Sequence, residues 1–174
     1  MTLREESMSA EWSVVYDLSA AAETVKVIDI APDDGELQAL AKRFALKHLT
    51  KCSAQLTLAP HVHGYQVSGT IGAEVTQSCV VSGVDVPSVL DVPIHILLWQ
   101  APVEADLDAL EDAYEVDEIE QIDGNEYDLG ELCAQYLGLA IDPFVRAEGA
   151  SLDAAVTQAS TSPFSILQGL KDKA

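Results

Sequence analysis

Apolar positions along the chain recur with two different periods, and the points where the period changes divide it into elements. Residues 12–18 (Trp-Ser-Val-Val-Tyr-Asp-Leu) and 24–30 (Thr-Val-Lys-Val-Ile-Asp-Ile) concentrate β-branched and aromatic types and predict two short strands. In Pro32-Asp33-Asp34-Gly35-Glu36, Asp33 is placed to cap a helix and Glu36 to reach back to it. Leu37, Leu40, Ala41, Phe44, Ala45 and Leu49 then recur at three- and four-residue spacing. That pattern predicts a helix over 36–49 with Lys42, Arg43 and Lys47 off its apolar face.

From 54 the period falls to two. Ala54, Leu56, Leu58 and Val62 alternate with polar or small residues, and Tyr65, Val67, Ile71, Ala73 and Val75 do so more regularly. After Ser82-Gly83 the apolar register moves to Val84, Val86, Leu90, Val92, Ile94, Ile96 and Leu98. One buried and one wetted face favour antiparallel pairing, so 65–81 and 84–99 are predicted as a long hairpin. Gly69 and Gly72 mark twist or a bulge, and Pro87 and Pro93 imply that the second strand is an edge or is bulged.

Residues 100–126 offer few large apolar groups and are expected to be largely mobile, with a short helix possible over 105–114. Order resumes at Asp128, which forms a second capping-box pattern with Glu131. Leu129, Leu132, Cys133, Tyr136, Leu137 and Ala140 give the following helix, 129–141, a core face, and Asp142-Pro143 ends it. A Ser/Thr/Ala-rich linker over 147–162 leads to a short segment, 163–171. There a serine cap, Pro163 and the Phe164, Leu167, Leu170 stripe predict a helix that must dock to be stable. The expected organisation is a single α+β domain over 1–146, the linker, and the docking helix.

Charge changes this picture more than composition does. The 174 residues carry 29 Asp+Glu against 9 Lys+Arg, a formal −20, which argues against nucleic-acid binding as a whole-surface property. Residues 52–145 contain no Lys or Arg, and 13 carboxylates fall between Glu104 and Glu131. Glu104, Asp106, Asp108, Glu111, Asp112, Glu115, Asp117, Glu118 and Glu120 are the candidate partner-binding residues, suited to a basic protein. A merely solvated loop and a calcium site at Asp123-Gly124-Asn125-Glu126-Tyr127-Asp128 are the competing readings, although EF-hand spacing is not met. Lys42, Arg43, Lys47 and Lys51 form the one basic cluster, either a solvated face or a weak RNA contact without aromatic residues to stack bases.

No nucleotide-binding, metalloprotease or nucleophile-elbow motif is present. His61-Val62-His63 reads as a solvent-facing pair rather than a metal site, because a closed zinc site needs four ligands. Cys79 reads as a packed thiol without a neighbouring base. No metal or cofactor is expected. With no apolar run of membrane-spanning length and a charged N-terminus, a cytoplasmic location without membrane or DNA contact is expected.

Three blocks resemble the YceD family of bacterial and plastid proteins: Val67-Ser-Gly-Thr-Ile-Gly-Ala-Glu-Val-Thr-Gln-Ser-Cys-Val-Val-Ser82, Tyr127 to Arg146, and Ser162 to Lys171. The positions that carry the likeness are Gly69, Cys79, Asp128, Leu129, Gly130, Glu131, Asp142, Pro143, Arg146, Pro163 and Phe164. The resemblance implies a role in accumulation of large-subunit ribosomal RNA, hence in ribosome biogenesis, with no established catalytic activity. Many members carry Cys-x-x-Cys where this chain has Cys79-Val80-Val81-Ser82, so that pair is absent here.

The expected fold is therefore α+β: a curved antiparallel sheet, partly closed as a barrel or half-barrel, with two packed helices. The expected function is a non-enzymatic assembly factor that contacts a basic ribosomal protein or assembly partner through its acidic segment. Direct contact with ribosomal RNA through the 36–49 helix is the alternative.

Overall fold

A computed structural model describes residues 10–100 and 118–151. The acidic residues Glu104 to Asp117, the 105–114 helix, most of the linker and the 163–171 helix with Pro163 and Phe164 lie outside the described residues. The described residues belong to two compact units, 1–76 with 87–141, and 77–86 with 142–174.

In the first unit the strands are β1 (Val15–Asp17), β2 (Lys26–Ile30), β3 (His48–His61), β4 (Gly64–Ser78), β5 (Asp85–Trp99), β6 (Glu118–Gln121) and β7 (Glu126–Asp128). Strands β4 and β5 run on into the second unit at their 77–78 and 85–86 ends. Five of them form one sheet in the order β2-β3-β4-β5-β6, while β1 and β7 form an antiparallel pair of their own. Strands β2 and β3 pair antiparallel from Lys26 opposite Leu58 to Ile30 opposite Ala54. Strands β3 and β4 pair from His48 opposite Thr76 to His61 opposite Gly64, with a register shift between Leu49 and Lys51.

The fold is α+β with a mostly antiparallel five-stranded sheet, but the sheet is open. Strands β2 and β6 remain edges, so the barrel does not close. The last pair also departs from expectation: β6 runs parallel to β5, with Ile96 opposite Glu118 and Trp99 opposite Gln121. Strand β5 is an outer strand only upstream of Ile96, where its two prolines stand.

One sheet face supplies the core. Leu56, Leu58, Val67, Ile71, Ile94, Ile96 and Leu98 pack with Leu40 of α1 (Asp34–Arg43), with Trp12, and with Leu129, Leu132 and Leu137 of α2 (Leu129–Ala140). Each large buried side chain contributes about 1.5–3 kcal/mol of transfer free energy. At the end of β5 the alternation stops, because Ile96, Leu97, Leu98 and Trp99 are all buried.

Helix α1 begins as the sequence indicates. Asp33 Oδ1 accepts from the Glu36 amide at 2.8 Å, and Glu36 Oε2 accepts from the Asp33 amide at 2.8 Å. It ends at Arg43 rather than at 49. Ala45 takes a left-handed backbone, φ +53°, and the Leu46 amide donates to Ala41 O at 2.8 Å, which closes the last turn. The chain then enters β3, so Leu49 is a core residue of a strand and only Lys42 and Arg43 of the basic cluster are helical. Left-handed backbone is disfavoured for alanine and free for glycine. Ala45→Gly is therefore expected to raise stability by up to about 1 kcal/mol, read as a higher denaturation midpoint. A lower midpoint would mean that this turn is not the one formed in solution.

The early strands are shorter than predicted: Trp12 is a fully buried core residue ahead of β1, and Leu18–Ala21 form a single 3-10 turn. The largest correction concerns 118–126. These residues are ordered into β6, a buried Ile122 and the start of β7, instead of belonging to a mobile segment. Within the second unit, Cys79 to Val84 form a tight turn, with the Cys79 amide donating to Val84 O at 2.8 Å and the Gly83 amide to Cys79 O at 2.9 Å. The Val80 amide donates to Val145 O at 3.0 Å, and Gln77 Nε2 to Asp142 O at 2.8 Å.

Candidate functional site

The described end of the acidic block is an edge strand. All four residues of β6 are exposed, and its outer edge has no neighbouring strand in the sheet. Two tyrosines hold its carboxylates. The Tyr136 hydroxyl of α2 donates to Glu118 Oε2 at 2.8 Å, and the Tyr127 hydroxyl donates to Glu120 Oε2. Burial and the neighbouring Glu120 carboxylate push the Tyr127 phenol well above its usual range, so it remains a donor at any physiological pH. The Ile122 amide donates to Trp99 O at 2.9 Å and fixes the strand's end. Glu118 and Glu120 are thus positioned charges; Glu104, Asp106, Asp108, Glu111, Asp112, Glu115 and Asp117 lie outside the described residues.

Several oxygens of the Asp123–Asp128 stretch are already used inside the protein. Asn125 O accepts from the Leu18 amide at 2.7 Å, while Gly124 O and Asn125 Oδ1 accept from Gln100 Nε2 at 2.7 and 2.9 Å. Among the described residues no three His, Cys, Asp or Glu side chains cluster as a metal site.

Of the basic residues, two are held by carboxylates. Arg43 makes a two-pronged pair with Glu131 at 2.8 Å on each prong and a third contact to Glu11 at 2.9 Å. The Glu131 bonds, ahead of the Glu11 contact, hold the guanidinium charge more firmly than usual, against the opposing effect of burial. Lys51 Nζ donates to Glu74 Oε1 at 2.7 Å, which lowers the Glu74 carboxyl from its ordinary value. Lys42 and Lys47 are exposed, one on α1 and one in the following turn. The four cations therefore do not form a single helix face.

The Asp128–Glu131 block clasps the stretch Trp12–Val14. Asp128 Oδ1 accepts from the amides of Val14, Gly130 and Glu131 at 2.8, 3.0 and 3.1 Å, and Oδ2 accepts from the Ser13 hydroxyl at 2.6 Å. Burial alone would raise this carboxyl, but those donors together hold it below its ordinary value. The Leu129 amide donates to Val14 O at 3.0 Å, and Leu129 is fully buried. Gly130 leaves room for the Trp12 and Val14 backbone, since a Cβ there would lie 2.8 Å from Val14 N. Glu131 does not return to the cap; its carboxylate goes to Arg43 instead, so only half of the predicted capping box forms.

Gly69 serves a similar end in the sheet, where a Cβ would lie 2.1 Å from Gln55 O. Asp142 Oδ1 accepts from the Phe144 amide at 2.8 Å in the turn around Pro143, and Arg146 is exposed.

Cys79 is 3% exposed within the turn of the second unit, and its sulfur accepts from the Ser82 amide at 3.4 Å. Bonds from Ser82, first its side chain, with the Ala147, Ser82 and Val81 backbone, bring the thiol down to about 6. Burial moves the other two the opposite way, Cys52 up to about 11 and Cys133 up to about 12, which leaves them unreactive. His61 and His63 are half-buried rather than solvent-facing, and Val62 between them is 85% exposed.

These positions define an α+β protein whose described carboxylates are set along an open sheet edge and whose basic residues are partly neutralised from within. No family model, curated protein or solved structure matches the chain. Among the described residues no helix is long and apolar enough to cross a membrane.

Proposed function

We propose that the chain is a non-enzymatic, cytoplasmic factor of ribosome biogenesis that supports accumulation of large-subunit ribosomal RNA. Its acidic segment contacts a basic ribosomal protein or assembly partner, and RNA is affected through that partner. The resemblance of the Val67–Ser82, Tyr127–Arg146 and Ser162–Lys171 blocks supplies the process. The partition of charge supplies the mode: Arg43 and Lys51 are engaged by Glu131, Glu11 and Glu74, whereas Glu118 and Glu120 are held outward on an open edge. A phosphate backbone approaching Arg43 or Lys51 must displace those carboxylates, while a cationic side chain approaching β6 meets carboxylates held by neutral tyrosine hydroxyls.

The test is a crosslinking pulldown with the purified chain, large-subunit ribosomal proteins and ribosomal RNA at two salt concentrations. A basic protein is expected at low salt, with its recovery weakened about fivefold in the Glu118→Gln, Glu120→Gln variant, a loss of roughly 1 kcal/mol for exposed pairs. Recovery of RNA that disappears when Lys42, Lys47 and Lys51 become alanine would transfer the function to the RNA-binding alternative.

A further inference from the structure

The hairpin turn between β3 and β4 carries two imidazoles on one side of the molecule, and nothing in the proposed function uses them. His61 ends β3, Val62 points outward, and the His63 ring lies flat on Trp99 with centroids 4.1 Å apart and planes 16° apart. The turn is fixed to β5. The Gln100 amide donates to His63 O at 2.9 Å, and Gly64 sits so close to the β5 backbone that a Cβ would lie 2.1 Å from Leu98 O. Both rings line an open cavity of about 430 Å³, together with Pro60, Tyr65 and Gln100.

The two ring centroids are 5.7 Å apart, with the planes tilted by 50°. Two imidazoles bound to one tetrahedral cation, at metal–nitrogen distances of about 2.1 Å, have centroids about 5.2 Å apart. The observed ring spacing is within about half an ångström of that value. Neither ring nitrogen of His63 has a hydrogen-bond partner among the described residues, and no carboxylate pairs with either histidine. His61 Nδ1 accepts only a long contact, 3.3 Å, from the His63 amide. Reversal of the His61 tautomer gives up that contact and presents Nε2 as a ligand.

We infer that His61 and His63 form a two-imidazole chelate for a borderline divalent transition cation of the zinc and copper class. Trp99 orients one ring, and water fills the remaining positions. Imidazole without carboxylate ligands selects these cations over calcium and magnesium. With no third ligating side chain among the described residues, the site is open and exchangeable rather than a closed structural one.

Zn²⁺ titration of the full chain by calorimetry, and Cu²⁺ quenching of tryptophan emission, test the inference. One equivalent of Zn²⁺ is expected to bind in the micromolar range. Cu²⁺ is expected to quench saturably through the His63–Trp99 stack, with Zn²⁺ relieving the quenching by competition. His61→Gln, which leaves that stack in place, is expected to weaken Zn²⁺ binding at least about tenfold, whereas His48→Gln leaves it unchanged. His63→Gln is expected to match His61→Gln. Binding that survives in the His61→Gln, His63→Gln double variant overturns the assignment, and its loss in Cys79→Ser would then move the metal to the thiol. Absence of saturable binding to the unmodified chain overturns it as well.

Discussion

Gly130→Ala is expected to destabilise the protein by about 3 kcal/mol, even though alanine is the better helix former by roughly 1 kcal/mol. The sign follows from what surrounds the position. A Cβ at Gly130 lies 2.8 Å from Val14 N and 2.9 Å from Trp12 O, and both are backbone atoms that cannot rotate away. Either the 12–14 stretch lifts off α2 or the helix shifts. The first outcome breaks the Leu129 amide bond to Val14 O and exposes Trp12, a fully buried side chain. At about 2–4 °C per kcal/mol for a chain of this size, the melting temperature should fall by roughly 6–12 °C. An unchanged melting temperature would show that the 12–14 stretch is not seated on α2 in solution.

The second large effect is expected at Asp128. Removal of its carboxylate in Asp128→Ala takes away the α2 cap and leaves the Val14, Gly130 and Glu131 amides and the Ser13 hydroxyl without their acceptor. A cap alone is worth about 0.5–2 kcal/mol, and bonds to a charged acceptor about 1.5–3 kcal/mol. Because the side chain is only part-buried and water reaches some of these donors, a net loss of about 2–3 kcal/mol is expected. Asp128→Asn, which keeps one acceptor oxygen, should lose about half of that.

The loss also depends on pH. The folded-state pKa of Asp128 is depressed, so its contribution is fully present above the ordinary value of 3.8 and fades as pH falls through the lower folded value. The stability gap between the unmodified chain and Asp128→Ala should therefore be constant from pH 7 to about 5 and narrow below about 4. Denaturation midpoints measured across that range give the answer. A gap that widens on acidification would mean that the carboxyl is not the acceptor described.

The features legible along the chain are those decided within a few residues. The Asp33–Glu36 box closes over three positions, and Asp128 caps α2 over two and three, so local spacing suffices to locate both helix starts. Strands β3, β4 and β5 were legible because a half-buried strand must alternate, and the alternation runs through most of their 14, 15 and 15 residues. The end of α1 was not legible. Phe44, Ala45 and Leu49 prolong the helical spacing past Arg43, and Ala45 lacks the glycine signal for the left-handed turn that the pairing of His48 with Thr76 requires. Strand β6, Glu-Ile-Glu-Gln, holds a single apolar residue, too few to show a period. It exists because β5 offers a free edge and Tyr127 and Tyr136 reach its carboxylates from other elements. Glu131 had a local partner in its own cap and took a distant one, since a two-pronged guanidinium bond 88 positions away outweighs a single amide. The His63–Trp99 stack, 36 positions apart in the chain (99 − 63), depends in the same way on a contact between strands. Spacing in the chain governs pairs that one turn of helix or one pleat brings together, whereas pairs joined across the sheet depend on register, which is set by the burial of every other residue in both strands.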